Sequence, residues 1–210
     1  MNETSTTPIK TTEPIRFYFD FISPFAYLGS VGIEELAGRH GCEVEWCPVL
    51  LGITVMKIMG LKPLPETPLK GPYLKRDIVR SARFLGIPMN EWALPIAPLP
   101  PMRAFVWLKE RDPATAKRFA QAVFHARWRL AEDPSSPEGL TRVAHRLGLD
   151  PGAIVAANDD PEVKQRLAFL VDEAIGAGVF GAPSFRIGTE LFWGSDRLPQ
   201  IDRWLTTGGW

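Results

Sequence analysis

The sequence predicts an α/β fold in which a small mixed sheet is interrupted by a large all-helical insertion. Three observations carry that expectation. Residues 15–51 read as strand, helix and strand; about 52–160 show helix signals and no convincing strand; residues 184–205 read as a hairpin followed by a helix.

Ile15, Phe17, Phe19 and Phe21 alternate with Arg16, Tyr18, Asp20 and Ile22. Apolar side chains therefore fall on both faces, as in a strand inside a sheet. Ser23 suits an N-cap with Pro24 at the first helical position, and the helix is expected to reach Arg39, just before Gly41. A second strand over residues 43–51 closes a unit whose short joints imply a parallel pair.

In the helical block, one helix is expected over residues 72–85, and the Pro-rich PIAPLPP leads into a second, MRAFVWLKER. Asp112-Pro113, Ser136-Pro137, Asp150-Pro151 and Asp160-Pro161 each pair a capping side chain with a helix-compatible proline. The last of these helices is expected to end near Gly176-Ala177-Gly178. SFRI and ELFW flank Gly188-Thr189 as a tight hairpin, and Gly194-Ser195-Asp196 opens a final helix over residues 196–205.

The chain has 210 residues, 45% of them hydrophobic and 23% charged, enough for a packed core. Basic and acidic residues number 24 each, and no basic run marks a nucleic-acid footprint. The opening MNETSTTPIKTTEP lacks the apolar stretch of a secretory signal and reads as a disordered tail over residues 1–14. No window reaches the length of a membrane span, so a cytoplasmic setting is expected, with neither nucleic acid nor membrane as partner. Cys42 and Cys47 sit five apart in a stretch read as a strand, too far apart for a disulfide, and are expected to be buried thiols.

The stretch FYFDFISPFAYLG poses a chemical question. A strand running into a helix start is where a thiol oxidoreductase carries Cys-x-x-Cys, its first thiol activated by the helix N-terminus. Here Ser23 and Ala26 hold those positions. Ser23 alone fits a cap more readily than a catalyst. Gly181-Ala182-Pro183 precedes a strand; a cis bond there would expose the Ala182 backbone to an extended peptide, although only on the order of 5% of X-Pro bonds are cis. Ser195 and Asp196 suit a helix start, and equally an anion site with a carboxylate for an ammonium. Lys70 reads most simply as a solvated loop lysine.

Taken together these pieces resemble a known family. Asp20, Phe21, Ser23, Pro24 and Tyr27, then Lys70, Tyr73 and Asp77, then Gly181, Pro183 and Phe185, then Trp193 to Leu198 match in order and spacing the 2-hydroxychromene-2-carboxylate isomerase family, which is similar to the kappa-class glutathione transferases. The resemblance runs from residue 15 to the end. It implies a thioredoxin-like mixed sheet (residues 15–52 and 161–210) interrupted by a large all-helical insertion (residues 53–160).

It also implies where the sulfur is. Glutathione is the implied cofactor, and Ser23 the catalytic residue that donates a hydrogen bond to its thiol. Ala182, before a cis Pro183, would pair with the cysteinyl backbone; Ser195, Asp196 and Arg197 would hold the γ-glutamyl end; Lys70 would face the glycyl carboxylate. No metal is expected. The implied activity is a glutathione-dependent cis–trans isomerisation of aromatic 2-hydroxychromene-2-carboxylate-like substrates, in aromatic-compound catabolism, by a homodimer. A kappa-like transferase or peroxidase and a non-catalytic thioredoxin-fold binding protein are the alternatives. One departure bears on the substrate: the family often has Gly-Asn where this chain has Gly60-Leu61. Trp46, Phe105, Trp107, Phe124 and Trp128 could line a flat aromatic pocket, though their helical spacing favours a core.

Overall fold

Five helices start where a capping side chain meets a proline. In a computed structural model describing residues 13–90 and 96–210, Ser23, Asp112, Ser136, Asp150 and Asp160 each accept a hydrogen bond from a backbone N–H of the turn that follows. The elements run β1 (Ile15–Phe19), α1 (Pro24–Arg39), β2 (Val44–Pro48), α2 (Lys70–Phe84), α3 (Leu99–Lys109), α4 (Pro113–Phe124), α5 (Pro137–Arg146), α6 (Pro151–Ala156), α7 (Pro161–Gly176), β3 (Ser184–Ile187), β4 (Glu190–Trp193) and α8 (Leu198–Thr207). Two π-helical turns, Gly52–Ile58 and His125–Arg129, interrupt the regular pattern. The expected tail lies outside the described residues except for Glu13 and Pro14.

The sheet order is β2-β1-β3-β4. β1 pairs parallel with β2, with Phe17 opposite Trp46, and antiparallel with β3, with Phe17 opposite Phe185. This is the expected mixed sheet, with helices between β2 and β3. Several boundaries move. β1 stops at Phe19 rather than Ile22, because the Ser23 N–H turns back to the Asp20 carbonyl at 3.0 Å. β2 is shorter than expected, and Cys42 lies before it rather than within it. Residues 195–197 form a 3₁₀ turn, so the last α-helix begins at Leu198.

Sheet and helical block share one core. Phe17, Phe19 and Phe21 are fully buried. Phe105 of α3 packs edge-on against Phe19 with ring centroids 5.1 Å apart, and Phe124 of α4 lies 5.1 Å from Phe21. Each such phenyl removed from water contributes roughly 1.5–3 kcal/mol. Trp46, Phe105, Phe124 and Trp128 are all in this core, which overturns the aromatic-pocket reading; Trp107 is half-buried and stacks under the Arg111 guanidinium. Across the sheet, Tyr18 and Val49 pack with Ala174 and Val179 from and just after α7. Lys109 of α3 bonds Glu45 and the Trp46 carbonyl of β2, both at 2.9 Å, fixing the block to the sheet edge.

Neither cysteine is bonded to the other, and both are half-buried. Burial pushes the Cys47 thiol up to about 12 and raises that of Cys42 as well. Thiolate is the reactive form, so at pH 8 Cys47 should react with a chromogenic disulfide reagent roughly a thousandfold more slowly in the native protein than in the unfolded chain. Comparable rates in the two states would refute this.

Candidate active site

β1 ends against the turn that starts α1, and this junction positions Ser23. The Ser23 hydroxyl accepts the Ala26 N–H at 3.1 Å, as an N-cap does, and donates to the Ala182 carbonyl at 2.8 Å. The Ala182–Pro183 peptide bond is cis, as the Gly-x-Pro element suggests. Sequence reasoning left the Ala182 carbonyl free to pair with a ligand; the structure instead gives it the Ser23 hydroxyl. Ser23 is itself buried.

The cis-proline loop is held by four further contacts. The Ser184 hydroxyl donates to the Gly181 carbonyl at 2.7 Å, and the Gly194 N–H donates to the Pro183 carbonyl at 2.9 Å. On α1, Gly29 lets the helix lie against this loop: a β-carbon there would stand 3.1 Å from the Phe185 ring and 3.4 Å from Pro183. Trp193 covers Gly181 from the opposite side and meets Phe180 edge-on, ring centroids 5.0 Å apart.

Residues 195–197 join this group through α1, on which the first residue of α8, Leu198, closes over Gly32. Gly194 has φ +116°, a conformation that L side chains rarely adopt, and lies against the Asp196 carboxylate. Ser195 is buried, whereas the Asp196 carboxylate is largely exposed, 3.4 Å from the Arg197 guanidinium. Because these three residues form a 3₁₀ turn, the helix-dipole argument made for Asp196 from sequence is weaker than expected.

Lys70 is the first residue of α2, exposed, with no bond tying it to Ser23. What precedes it was not legible in the sequence. Leu69 has φ +65° and ψ −47°, and the Lys70 N–H donates to the Pro68 carbonyl at 2.7 Å. That is a γ-turn of the rare positive-φ kind, centred on a leucine whose side chain is 89% exposed. Backbone strain of this sort persists where surrounding structure imposes it and collects at functional sites. The motif residues Tyr73 and Asp77 serve α2 instead: the Tyr73 hydroxyl donates to Asp77, and Arg80 reaches both. Leu61, at the family's asparagine position, is exposed.

Asp20 was matched to the family motif without a role. It is fully buried, its Oδ1 accepting the Ile22 N–H at 3.2 Å and its Oδ2 the Leu51 N–H at 2.9 Å. Burial outweighs these donors and raises its pKa to about 6. The folded chain thus binds a proton more readily than the unfolded chain between about pH 4 and 6. At neutral pH the buried charge costs on the order of 3 kcal/mol, a cost relieved as pH falls through 6. The two π-helical turns both adjoin this junction: one follows Leu51, and the other carries Trp128, whose indole N–H donates to the Phe21 carbonyl at 3.2 Å.

A depression of about 370 Å³ lies at the far end of the sheet among Glu13, Pro14, Arg16, Arg186 and Gly188, away from all the candidate residues.

A strand leading to a helix-capping serine, faced by a cis-proline loop, defines a thioredoxin-type site with no cysteine in it. Residues 14–206 match the DsbA-like thioredoxin domain, and the chain belongs to that family. Within it, the chain is 31% identical to the 2-hydroxychromene-2-carboxylate isomerase of Sphingobium xenophagum over 92% of this chain and 98% of that one. It is 28% identical to glutathione S-transferase kappa 2 of Caenorhabditis elegans over 91% of each. A solved 2-hydroxychromene-2-carboxylate isomerase superposes with a TM-score of 0.79 at 29% identity, covering 91% of this chain and 93% of that one.

The γ-turn yields a direct test. Leu69→Gly should remove the positive-φ penalty and leave stability unchanged or raised by about 1 kcal/mol in denaturant unfolding, whereas Leu69→Ala should gain nothing. Equal effects of the two substitutions would show that Leu69 is not strained.

Proposed function

We propose that this chain is a glutathione-dependent isomerase of aromatic 2-hydroxychromene-2-carboxylate-like substrates. The observation that carries the reading is Ser23: a hydroxyl at the N-terminus of α1, bonded to the residue before the cis-proline, where a redox protein of this fold has its reactive sulfur. The full-length likeness to isomerases of that name supports it.

The residues present suit the tripeptide chemically. Lys70 offers an exposed ammonium to one carboxylate, and Asp196 and Arg197 offer an exposed carboxylate and guanidinium to the amino-acid end, beside the Ser195 turn. In this reading residues 15–52 and 161–210 supply the thiol site, and the 53–160 insertion supplies the wall carrying Lys70. When bound, glutathione supplies the sulfur nucleophile for cis–trans isomerisation.

The chain's own groups hold and tune it. Ser23 has one hydroxyl proton. Donating it to sulfur frees the Ala182 carbonyl for a backbone N–H of the peptide, so the two bonds exchange partners and no buried acceptor is left unpaired. The N-terminal end of α1 adds its positive field, favouring the charged sulfur. Among the described residues no other side chain is placed to activate it, so the remaining contribution is orientation of the substrate.

A kappa-like transferase is the second reading, favoured by the kappa relatives. Isomerisation of a 2-hydroxychromene-2-carboxylate, assayed beside conjugation of a chloronitrobenzene, separates the two. Failure of glutathione to bind at millimolar concentration in calorimetry would sink both.

Ser23→Ala should raise the thiol pKa of bound glutathione, read from thiolate absorbance, and lower kcat/KM roughly ten- to a hundred-fold. That corresponds to about 1.5–3 kcal/mol for a charge-assisted hydrogen bond. Glutathione affinity should change much less. An unmoved thiol pKa with intact turnover, and only about 1 kcal/mol of lost stability, would make Ser23 a cap and nothing more.

A further inference from the structure

We propose that Asp20 is a positioning residue for the Ser23 site, its charged carboxylate fastening the Ser23 turn to the head of the segment that leads to Lys70. The activity arm of this proposal rests on the glutathione reading; its structural arm does not.

The two oxygens of Asp20 reach different parts of the chain. Oδ1 holds the N–H of Ile22, the residue before Ser23, and Oδ2 holds that of Leu51, the residue before the Gly52–Ile58 turn. Its own carbonyl takes the Ser23 N–H. A single buried side chain therefore spans the point where β1 gives way to α1 and the point where β2 gives way to the segment ending at Leu69 and Lys70.

The chemistry of the two donors selects a charged acid. Both are backbone N–H groups, so both need an acceptor facing them. A carboxylate offers one on each oxygen, whereas a protonated acid or an amide turns one of its two atoms into a donor aimed at a donor. No ion pair among the described residues includes Asp20. The titratable and charged groups on the elements around it face other partners or solvent. The Tyr27 hydroxyl of α1 donates to the Pro88 carbonyl. On the turn that carries Trp128, Arg127 lies over the Trp128 ring, His125 feels Arg129, Arg146 and Glu132, and Arg129 is exposed; Lys57 is exposed on the turn after Leu51. Backbone amides are what hold the charge in place.

Fold and site therefore make opposite demands. Burial favours a neutral side chain at position 20, and the two-sided amide bond favours a charged one. A buried acid that bonds both sides of this junction, three residues before Ser23, points to the site. Lowering the pH should ease the fold and loosen the junction at once.

The test follows the Ile22 and Leu51 amides by NMR from pH 8 to pH 4.5, in wild type and in Asp20→Asn. In wild type the two amide signals should titrate together with a midpoint near 6 and lose hydrogen-exchange protection below it; in Asp20→Asn neither should titrate. At pH 7.5 the variant should lose about tenfold in glutathione affinity and kcat/KM with a Tm no lower than wild type, and the difference should vanish by pH 5. Amides that do not titrate together would overturn the proposal even if the variant fails to fold. So would a folded variant with wild-type affinity and turnover at pH 7.5. Absence of glutathione binding in wild type at every pH would refute the function reading instead, and the amide titration would still decide for or against the junction.

Discussion

The hydrogen bond from the Ser23 hydroxyl to the Ala182 carbonyl joins residues 159 apart in the chain, and much else is arranged around it. For the bond to form, α1 must start within four residues of the end of β1, which the Asp20–Ser23 turn achieves. The cis-proline loop must also come close to α1, which Gly29 permits by having no side chain. α8 must then close over the same helix at Gly32. A hydroxyl is small enough to be both a cap and a cross-chain donor, and few other side chains could do both.

Replacing the reactive cysteine of this fold by serine changes what the helix N-terminus can do. A thiol there would ionise and react, whereas a hydroxyl keeps its proton and stays a donor, available to an anion brought from outside. The protein's own thiols lie away from this point, and burial keeps them protonated. In the proposed reading, the exposed Lys70 and Asp196 and the half-buried Arg197 suit a zwitterionic peptide better than a simple anion.

Local chemistry was legible in the sequence, and tertiary chemistry was not. The cap-then-proline pairs placed five helix starts because a capping side chain satisfies donors two or three residues away. The hairpin at Gly188 was legible for the same reason, the turn residue being local to it. The pattern of β1 misled at its end: Asp20, Phe21 and Ile22 keep the strand alternation, yet a backbone bond to Asp20 folds them into a turn. Asp20 itself reads as an ordinary strand residue until Leu51, 31 positions on, is seen to donate to it. The helical spacing of the aromatic residues favoured a core over a pocket, and the packing of α3 and α4 onto Phe19 and Phe21 puts Phe105 and Phe124 there.

Irregular backbone recurs at three places, around the Asp20–Ser23 junction, before Lys70, and at Ala131, which has φ +55°. The two π-helical turns flank the Asp20–Ser23 junction through Leu51 and Trp128, and the γ-turn at Leu69 stands immediately before Lys70. Helices α4 to α7, by contrast, start with ordinary caps. Stability alone would favour a glycine over the strained leucine at position 69, and the carboxylate at position 20 carries a desolvation cost that its two backbone N–H donors only partly offset. In the proposed reading the regular elements supply the stability, and the Asp20–Ser23 junction uses part of it to hold a buried carboxylate where it would not settle unaided.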